Sequence, residues 1–258
     1  MTQQLSCTCI IAGGGPAGMM AGFLLARAGV DVVVLEKHTD FLPDFRGDTI
    51  HPSTTEVLAE LGLLDKFLAR PHQKVNYVEG EIGGERIRIG DLTHLPTRCK
   101  FIAFVPQWEF LNFLAEEAKR LPAFRLMMGA EATDLLREGE RIVGVTAKTL
   151  SGIVEIRADL VLGADGRHSR MRDAAGLAVK DLGAPMDVLW FRLDYREGES
   201  HAVFGRIEVG QLLVMLDRGD YWQCALVIRK GTAEAVKAAG LDAFRARAAK
   251  LARRTSAD

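Results

Sequence analysis

Leu5 to Ile11 is a short apolar run that stops at three consecutive glycines, and Met19 to Ala28 then carries apolar residues at helical spacing until Gly29. Asp31 to Leu35 is a second apolar run, rich in β-branched valine. Strand, glycine turn, helix and strand make a βαβ unit, which predicts two parallel neighbours in a buried sheet. From Pro52 to Arg70 the spacing of Val57, Leu58, Leu61 and Leu64 predicts a helix, with Ser53 and Glu56 at capping-box separation. Lys74 to Ile89 alternates instead, with Gly83-Gly84 in its middle, and predicts an antiparallel hairpin. Pro106 then opens another helix, with Trp108, Leu111, Leu114, Ala115 and Ala118 on one face.

Phe124 to Gly163 has the alternation of a β-meander, with turns at Glu138-Gly139-Glu140 and Ser151-Gly152, and closes on Leu160-Val161-Leu162, expected to be buried. A second β-rich region follows Pro185: Val188 to Tyr195, Ala202 to Val209, Gln211 to Leu216 and Tyr221 to Ile228. Helical spacing resumes at Thr232 and breaks at Gly240. Because β-rich stretches interrupt the α/β pattern twice, two interleaved domains are expected rather than two in series. Their bounds are drawn at 1–74 with 104–182 for an α/β nucleotide-binding domain, 75–103 with 183–231 for a β-rich domain, and 232–258 for connecting helices.

Composition narrows the partner. With 33 basic and 34 acidic side chains in 258 residues, no whole-molecule field draws the chain to nucleic acid, so a small molecule is the expected ligand. Ile10 to Leu35 is apolar, but Pro16, several glycines, Arg27 and Asp31 interrupt it, which argues against a signal peptide or membrane span. The four cysteines show no zinc-ligand spacing, and no metal is expected. Cys7 and Cys9 are placed on one face of the first strand as small apolar filler, in a reducing, cytoplasmic compartment. The histidines form no ligand pattern, and the basic residues of the last helix (Arg245, Arg247, Lys250, Arg253, Arg254) are expected to face solvent.

Gly13, Gly15 and Gly18 form G-x-G-x-x-G between a strand and a helix, the context that gives the motif meaning. Gly13 permits the tight turn, Gly15 lets backbone approach a pyrophosphate, and Gly18 lets the helix lie close to the strand. The helix start then offers unpaired amides and a positive dipole end. Glu36, ending the second strand, stands where a carboxylate accepts hydrogen bonds from ribose hydroxyls and repels a 2′-phosphate, which disfavours NADP at this site. The glycines alone do not separate FAD from NAD. A plain NAD dehydrogenase would continue with further βαβ units, whereas this chain leaves after its second strand and returns through a meander. That meander ends in Asp165-Gly166, at the ligand edge of an open sheet.

On the glycine fingerprint with Glu36, the arginine of Phe45-Arg46-Gly47-Asp48, and Asp165-Gly166 with Ser169 and Arg172, the chain resembles the class A flavoprotein monooxygenases, the family of para-hydroxybenzoate hydroxylase. The resemblance implies an FAD-binding Rossmann-like βαβ sheet with a β-meander, interleaved with a smaller antiparallel sheet that holds substrate. It implies that Gly13, Gly15, Pro16, Ala17 and Gly18 hold the pyrophosphate, Glu36 and Lys37 the ribose, and Arg46 the pyrophosphate or flavin side. Gln107 would touch the cofactor, and Asp165 and Gly166 would lie near the ribityl chain and the path of the nicotinamide donor. Read alone, Arg46 is equally a solvated loop arginine and Gln107 a helix-start residue.

By the same resemblance, NADH or NADPH reduces FAD, and O₂ is split through a flavin hydroperoxide to hydroxylate an aromatic or related small molecule. Trp190, Arg192, Tyr221 and Gln223 are candidates for the substrate wall, with sheet core as their alternative role. The family also carries a late Gly-Asp motif followed by Ala, His and Pro and a helix. Gly47-Asp48, Gly90-Asp91 and Gly219-Asp220 lack that continuation, so a bare apolar surface and an incomplete flavin cradle are expected if the chain is whole. The rival readings are a non-hydroxylating flavoenzyme of the same fold and an inactive FAD-binding fragment. Oligomeric state is not legible.

Overall fold

The computed structural model describes residues 3–41, 49–194 and 204–252. Two compact units result, each made of two stretches of chain: the described residues of Met1–Gly47 with Pro106–Lys180, and those of Asp48–Val105 with Asp181–Asp258. Residues 48–74, drawn above with the nucleotide-binding part, cluster with the second unit.

β1 (Gln3–Ala12) runs through the glycines into α1 (Pro16–Arg27), and β2 (Val32–Glu36) returns parallel to β1. The helix begins at Pro16 rather than Met19, because a proline ring presets the first-turn φ and its missing N–H costs nothing there. Amides of Thr8 and Cys9 both donate to the Asp31 carbonyl at 3.0 Å, a local irregularity that switches the strand's phase. Cys7 therefore packs with the cluster of Ile10 and Ala12 while Cys9 lies outside it, so the two cysteines do not share a face as expected.

Next come β3 (Thr49–Ile50), α2 (Pro52–Glu60), α3 (Leu64–Leu68) and β4 (Gln73–Val75). One helix was expected over Pro52 to Arg70. Gly62, at φ 74°, ends it after one long and before one short segment. The capping box does not form either. Proline occupies the first helical position, His51 becomes the cap, and the Glu56 carboxylate instead accepts the Arg98 amide at 2.9 Å. β5 (Tyr77–Ile82) and β6 (Glu85–Asp91) make the expected hairpin, with Gly83 and Gly84 both at positive φ as a two-residue turn requires, and β7 (Ile102–Phe104) closes the stretch.

α4 (Gln107–Ala118) is followed by β8 (Phe124–Met128), β9 (Glu131–Glu138), β10 (Arg141–Thr149), β11 (Gly152–Gly163) and α5 (Arg170–Ala174). Only β9 to β11 form the meander; β8 instead pairs parallel with β2, giving the sheet order β8-β2-β1-β11-β10-β9. Ile10, Val33, Val145 and Ile156 centre the core on one face of this sheet. On the other face, α1 packs on β1 and β2, with Gly22 admitting Val34 and Phe124. Leu160 and Leu162 pair with Cys9 and Ile11, which places them on that α1 face. They are 56% and 37% exposed, so the expected buried run is open on one side.

β12 (Met186–Asp194), β13 (Phe204–Glu208), β14 (Gln211–Asp217) and β15 (Tyr221–Arg229) complete the second unit's sheet, β12-β15-β14-β13-β5-β6, antiparallel except for β13 against β5. α6 (Ala233–Ala238) and α7 (Leu241–Ala252) are not mere connectors. Leu251 joins Trp222, Cys224 and Leu226 in the core of one sheet face, and Phe244 meets Phe191 edge-on at 5.0 Å. Arg247, expected in solvent, donates twice to the Gln211 side-chain oxygen at 2.9 and 3.1 Å.

Candidate cofactor site

The bend after β1 is made of glycines for three separate steric reasons. Gly13 sits at φ 109°, and a Cβ there would lie 2.3 Å from the Ala164 carbonyl oxygen. A Cβ on Gly18 would lie 1.9 Å from the Gly13 carbonyl oxygen, so α1 can approach β1 only as glycine. Gly15 differs: no atom of the described residues comes within 4 Å of where its Cβ would be, and its backbone is bare on that side among them. Gly15 caps α1, and Pro16, Ala17 and Gly18 form the first helical turn, whose early amides have no intrahelical acceptor.

Glu36 faces this bend. Its Oε2 accepts the Gly14 amide at 2.9 Å and its Oε1 accepts the His38 amide at 2.9 Å. One bond per oxygen holds the carboxylate still and leaves lone pairs on both atoms for further donors.

The end of β11 supplies the opposing wall. The Ala164 amide donates to the Ala12 carbonyl at 2.7 Å, which sets Asp165 beside the glycine bend. Asp165 Oδ2 accepts the Met171 amide at 3.1 Å, while Ser169 caps α5 by accepting the Arg172 amide at 3.0 Å. Asp165 Oδ1 is buried with no hydrogen-bond partner among the described residues. A buried acceptor left empty is costly unless a ligand donor fills it. Arg172 is spent locally, on Asp173 and the Arg167 carbonyl.

These groups border one cleft of about 480 Å³ at the carboxyl ends of β1, β2 and β11. Gly13, Gly15, Glu36, Lys37, Asp165 and Gly166 line it, as do Leu35 and Ala12. Pro16, Ala17, Gly18 and Gln107 are not among its lining residues; Gln107 opens α4. Arg46 lies outside the described residues. His38, Ala130, Glu131, His168 and Arg170 also line the cleft and were not singled out from the sequence. The signal for Ala130 and Glu131 was three-dimensional: the Ala130 amide donates to the Glu36 carbonyl at 2.8 Å, tying the start of β9 to the end of β2. His168, one of the histidines that form no ligand pattern, stands at the wall because it follows Asp165-Gly166 by two residues.

In the second unit, Trp190, Arg192, Tyr221 and Gln223 all fall on one sheet face, opposite α6 and α7. The Arg192 guanidinium lies 3.8 Å over the Tyr221 ring, and Gln223, 1% exposed, accepts from Arg218 Nε at 2.7 Å. No group of His, Cys, Asp and Glu among the described residues is arranged to hold a metal, and no described helix is long and apolar enough to cross a membrane.

The first unit's cleft fits FAD: a bare backbone bend for the diphosphate, a fixed carboxylate for a ribose, and an empty buried acceptor at the far wall. A family model described as an FAD binding domain matches residues 6–219. The chain belongs to this FAD-binding family. The 6-methylpretetramide 4-monooxygenase of Streptomyces rimosus is 31% identical over 186 residues, covering 72% of this chain and 44% of that protein. The rifampicin monooxygenase of Streptomyces venezuelae is 34% identical over 169 residues, 66% of this chain and 34% of that protein. This FAD-binding chain thus spans less than half the length of those relatives. Among solved structures, p-nitrophenol 4-monooxygenase PnpA from Pseudomonas putida DLL-E4 matches with a TM-score of 0.77 at 22% identity, over 92% of this chain and 61% of that one. At that identity the likeness is one of fold, the para-hydroxybenzoate hydroxylase-like architecture of class A flavoprotein monooxygenases.

Proposed function

We propose that this chain is the FAD-binding part of a monooxygenase that uses NADH or NADPH and O₂ to hydroxylate an aromatic small molecule in the cytoplasm. One observation carries the reading: Glu36, the bare Gly15 backbone and Asp165 border a single cleft at parallel strand ends, in a chain of the FAD-binding family. Bound there, FAD would supply hydride acceptance and oxygen activation, chemistry no side chain provides.

The chain's own residues bind and orient. Gly15 and the first-turn amides of α1 would meet the diphosphate, where backbone donors and the helix dipole offset its charge. Glu36, already held by Gly14 and His38, would accept from ribose hydroxyls, and its charge opposes a 2′-phosphate in this cleft. Lys37, His168 and Arg170 add positive or titratable groups to the walls. Asp165 would take a donor from the ribityl side. Arg46 and Gln107 are assigned to the cofactor by resemblance alone. The relatives' names favour aromatic hydroxylation, and the four free cysteines fit a reducing compartment.

The test is purification followed by FAD titration, then donor oxidation with phenols under air. Yellow protein and a product heavier by one oxygen are expected. Colourless protein that takes up no FAD overturns the cofactor assignment, and turnover without oxygen gain overturns the hydroxylase assignment.

A further inference from the structure

On the helix-covered face of the second unit's sheet, a groove of about 440 Å³ runs between α6, α7 and the end of β15. Ile228, Val236 and Phe244 give it an apolar wall, and Phe244 is held edge-on against Phe191 at 5.0 Å. Small residues line the helices' side of the groove. Ala235 and Ala239 stand four residues apart on α6 and its C-cap, as Ala243 and Arg247 do on α7, so each helix turns one row of its surface to the groove. Longer side chains in place of the alanines would fill the space.

The charge on the groove has one sign. Arg229 and Arg247 both border it, and no acidic side chain is among its lining residues. The acids close by are engaged elsewhere: Asp187 with Lys230 at 2.8 Å, Glu234 with Lys237 at 2.8 Å, and Asp242 with Arg245 at 3.5 Å. The exposed Arg229 side chain has no partner among the described residues. Arg247 is oriented instead. Its Nε and Nη2 donate to Gln211 Oε1 at 3.1 and 2.9 Å, and the Gln211 amide nitrogen is anchored on Glu208 at 3.1 Å. That leaves Arg247 Nη1 as a positioned donor with no partner among the described residues.

The geometry points to this groove as a binding site for a small amphipathic carboxylate, its apolar body against Ile228, Val236 and Phe244 and its charge on the guanidiniums of Arg229 and Arg247. Two guanidiniums beside one apolar wall, with no carboxylate of the groove's own between them, are complementary to such an anion. A bare anion would leave the wall in water, and a neutral hydrocarbon would leave the cations unmatched. The assignment rests on neither the FAD cleft nor the monooxygenase reading.

Isothermal titration calorimetry of the full chain with octanoate, acetate and 1-octanol tests it, with FAD uptake measured on the same preparations. Octanoate should bind roughly tenfold or more tightly than acetate, whose missing methylenes cannot be buried, and than octanol, which lacks the charge. Arg247→Gln should weaken octanoate by about tenfold, and the exposed Arg229→Gln by less. Ala243→Leu keeps helix propensity while filling the groove, so it should abolish octanoate binding with melting temperature and FAD uptake unchanged. Because Arg229 is exposed and has no partner to lose, its variant keeps the test alive if Arg247→Gln fails to fold. Octanoate that fails to bind, that binds no tighter than acetate or octanol, or that binds undiminished to Arg229→Gln and Ala243→Leu alike overturns the assignment. So does a concentration-dependent dimer in sedimentation that Ala243→Leu abolishes and octanoate leaves intact, which would give the groove to a second copy of the chain.

Discussion

The Gly14 amide donates to Glu36 Oε2 at 2.9 Å, so the carboxylate at the end of β2 is locked against the glycine bend without any ligand. With His38 holding the other oxygen, the group enters binding already oriented, and little side-chain entropy remains to be lost. Glu36→Ala should therefore weaken FAD by about 10- to 100-fold, the effect of removing charged hydrogen bonds of roughly 1.5–3 kcal/mol. Glu36→Gln, which keeps an oxygen acceptor but no charge, should fall between. Flavin fluorescence titration measures both, and an alanine variant with unaltered affinity would remove Glu36 from the site.

Gly15 and Gly18 separate binding from folding. Gly18→Ala drives a Cβ into the Gly13 carbonyl, a backbone atom that cannot step aside, and should cost about 1–3 kcal/mol or more in stability. Gly15→Ala meets no atom of the described residues within 4 Å and φ −69° suits alanine, so the apoprotein should melt unchanged while FAD affinity drops. Thermal melts with and without FAD distinguish the two. Matching losses of apoprotein Tm in both variants would contradict the assignment of Gly15 to ligand approach.

What could be read from the sequence was what local sterics decide. The bend at Gly13 to Gly18 and the Gly83-Gly84 hairpin follow from φ and Cβ demands within a few residues, and both are where expected. Long-range competition hid the rest. Ser53 and Glu56 have capping-box spacing, yet Pro52 takes the first helical position and Arg98, distant in sequence, claims the glutamate. β8 looks like part of a meander because alternation does not say which edge a strand joins; pairing with β2 does. Glu131 enters the cleft through sheet order, which no local spacing encodes.

Arg206 is a largely buried charge of the second unit. On the α7 side of the sheet it donates to Glu81 at 2.8 Å and to the Leu251 carbonyl at 2.8 Å, with side-chain exposure of 8% against 17% for Glu81. Arg206→Ala leaves Glu81 largely buried without its cation and should cost about 3–5 kcal/mol, whereas an Arg206→Met, Glu81→Leu double variant should recover most of that. By contrast, the half-exposed Arg125 to Asp31 pair should be worth less than about 1 kcal/mol. Urea unfolding of the variants gives the comparison, and a double variant no more stable than Arg206→Ala would contradict it.

Cys7 makes stability depend on alkaline pH. Burial pushes its thiol up from 9.0 to about 11, against a smaller opposing pull from Arg125. The folded chain thus holds this proton more tightly than the unfolded chain. The sign follows: the contribution is complete below pH 9.0 and is lost as pH rises through about 11, because the thiolate must form in a poorly solvated strand. Wild-type urea midpoints should fall more steeply across that window than those of Cys7→Ala, which keeps the apolar contact with Ile10 and Ala12 but has nothing to ionise. Cys9, also raised by burial, should leave the variant a residual slope. Parallel curves for the two proteins across the window would show that Cys7 ionises as freely in the fold as outside it.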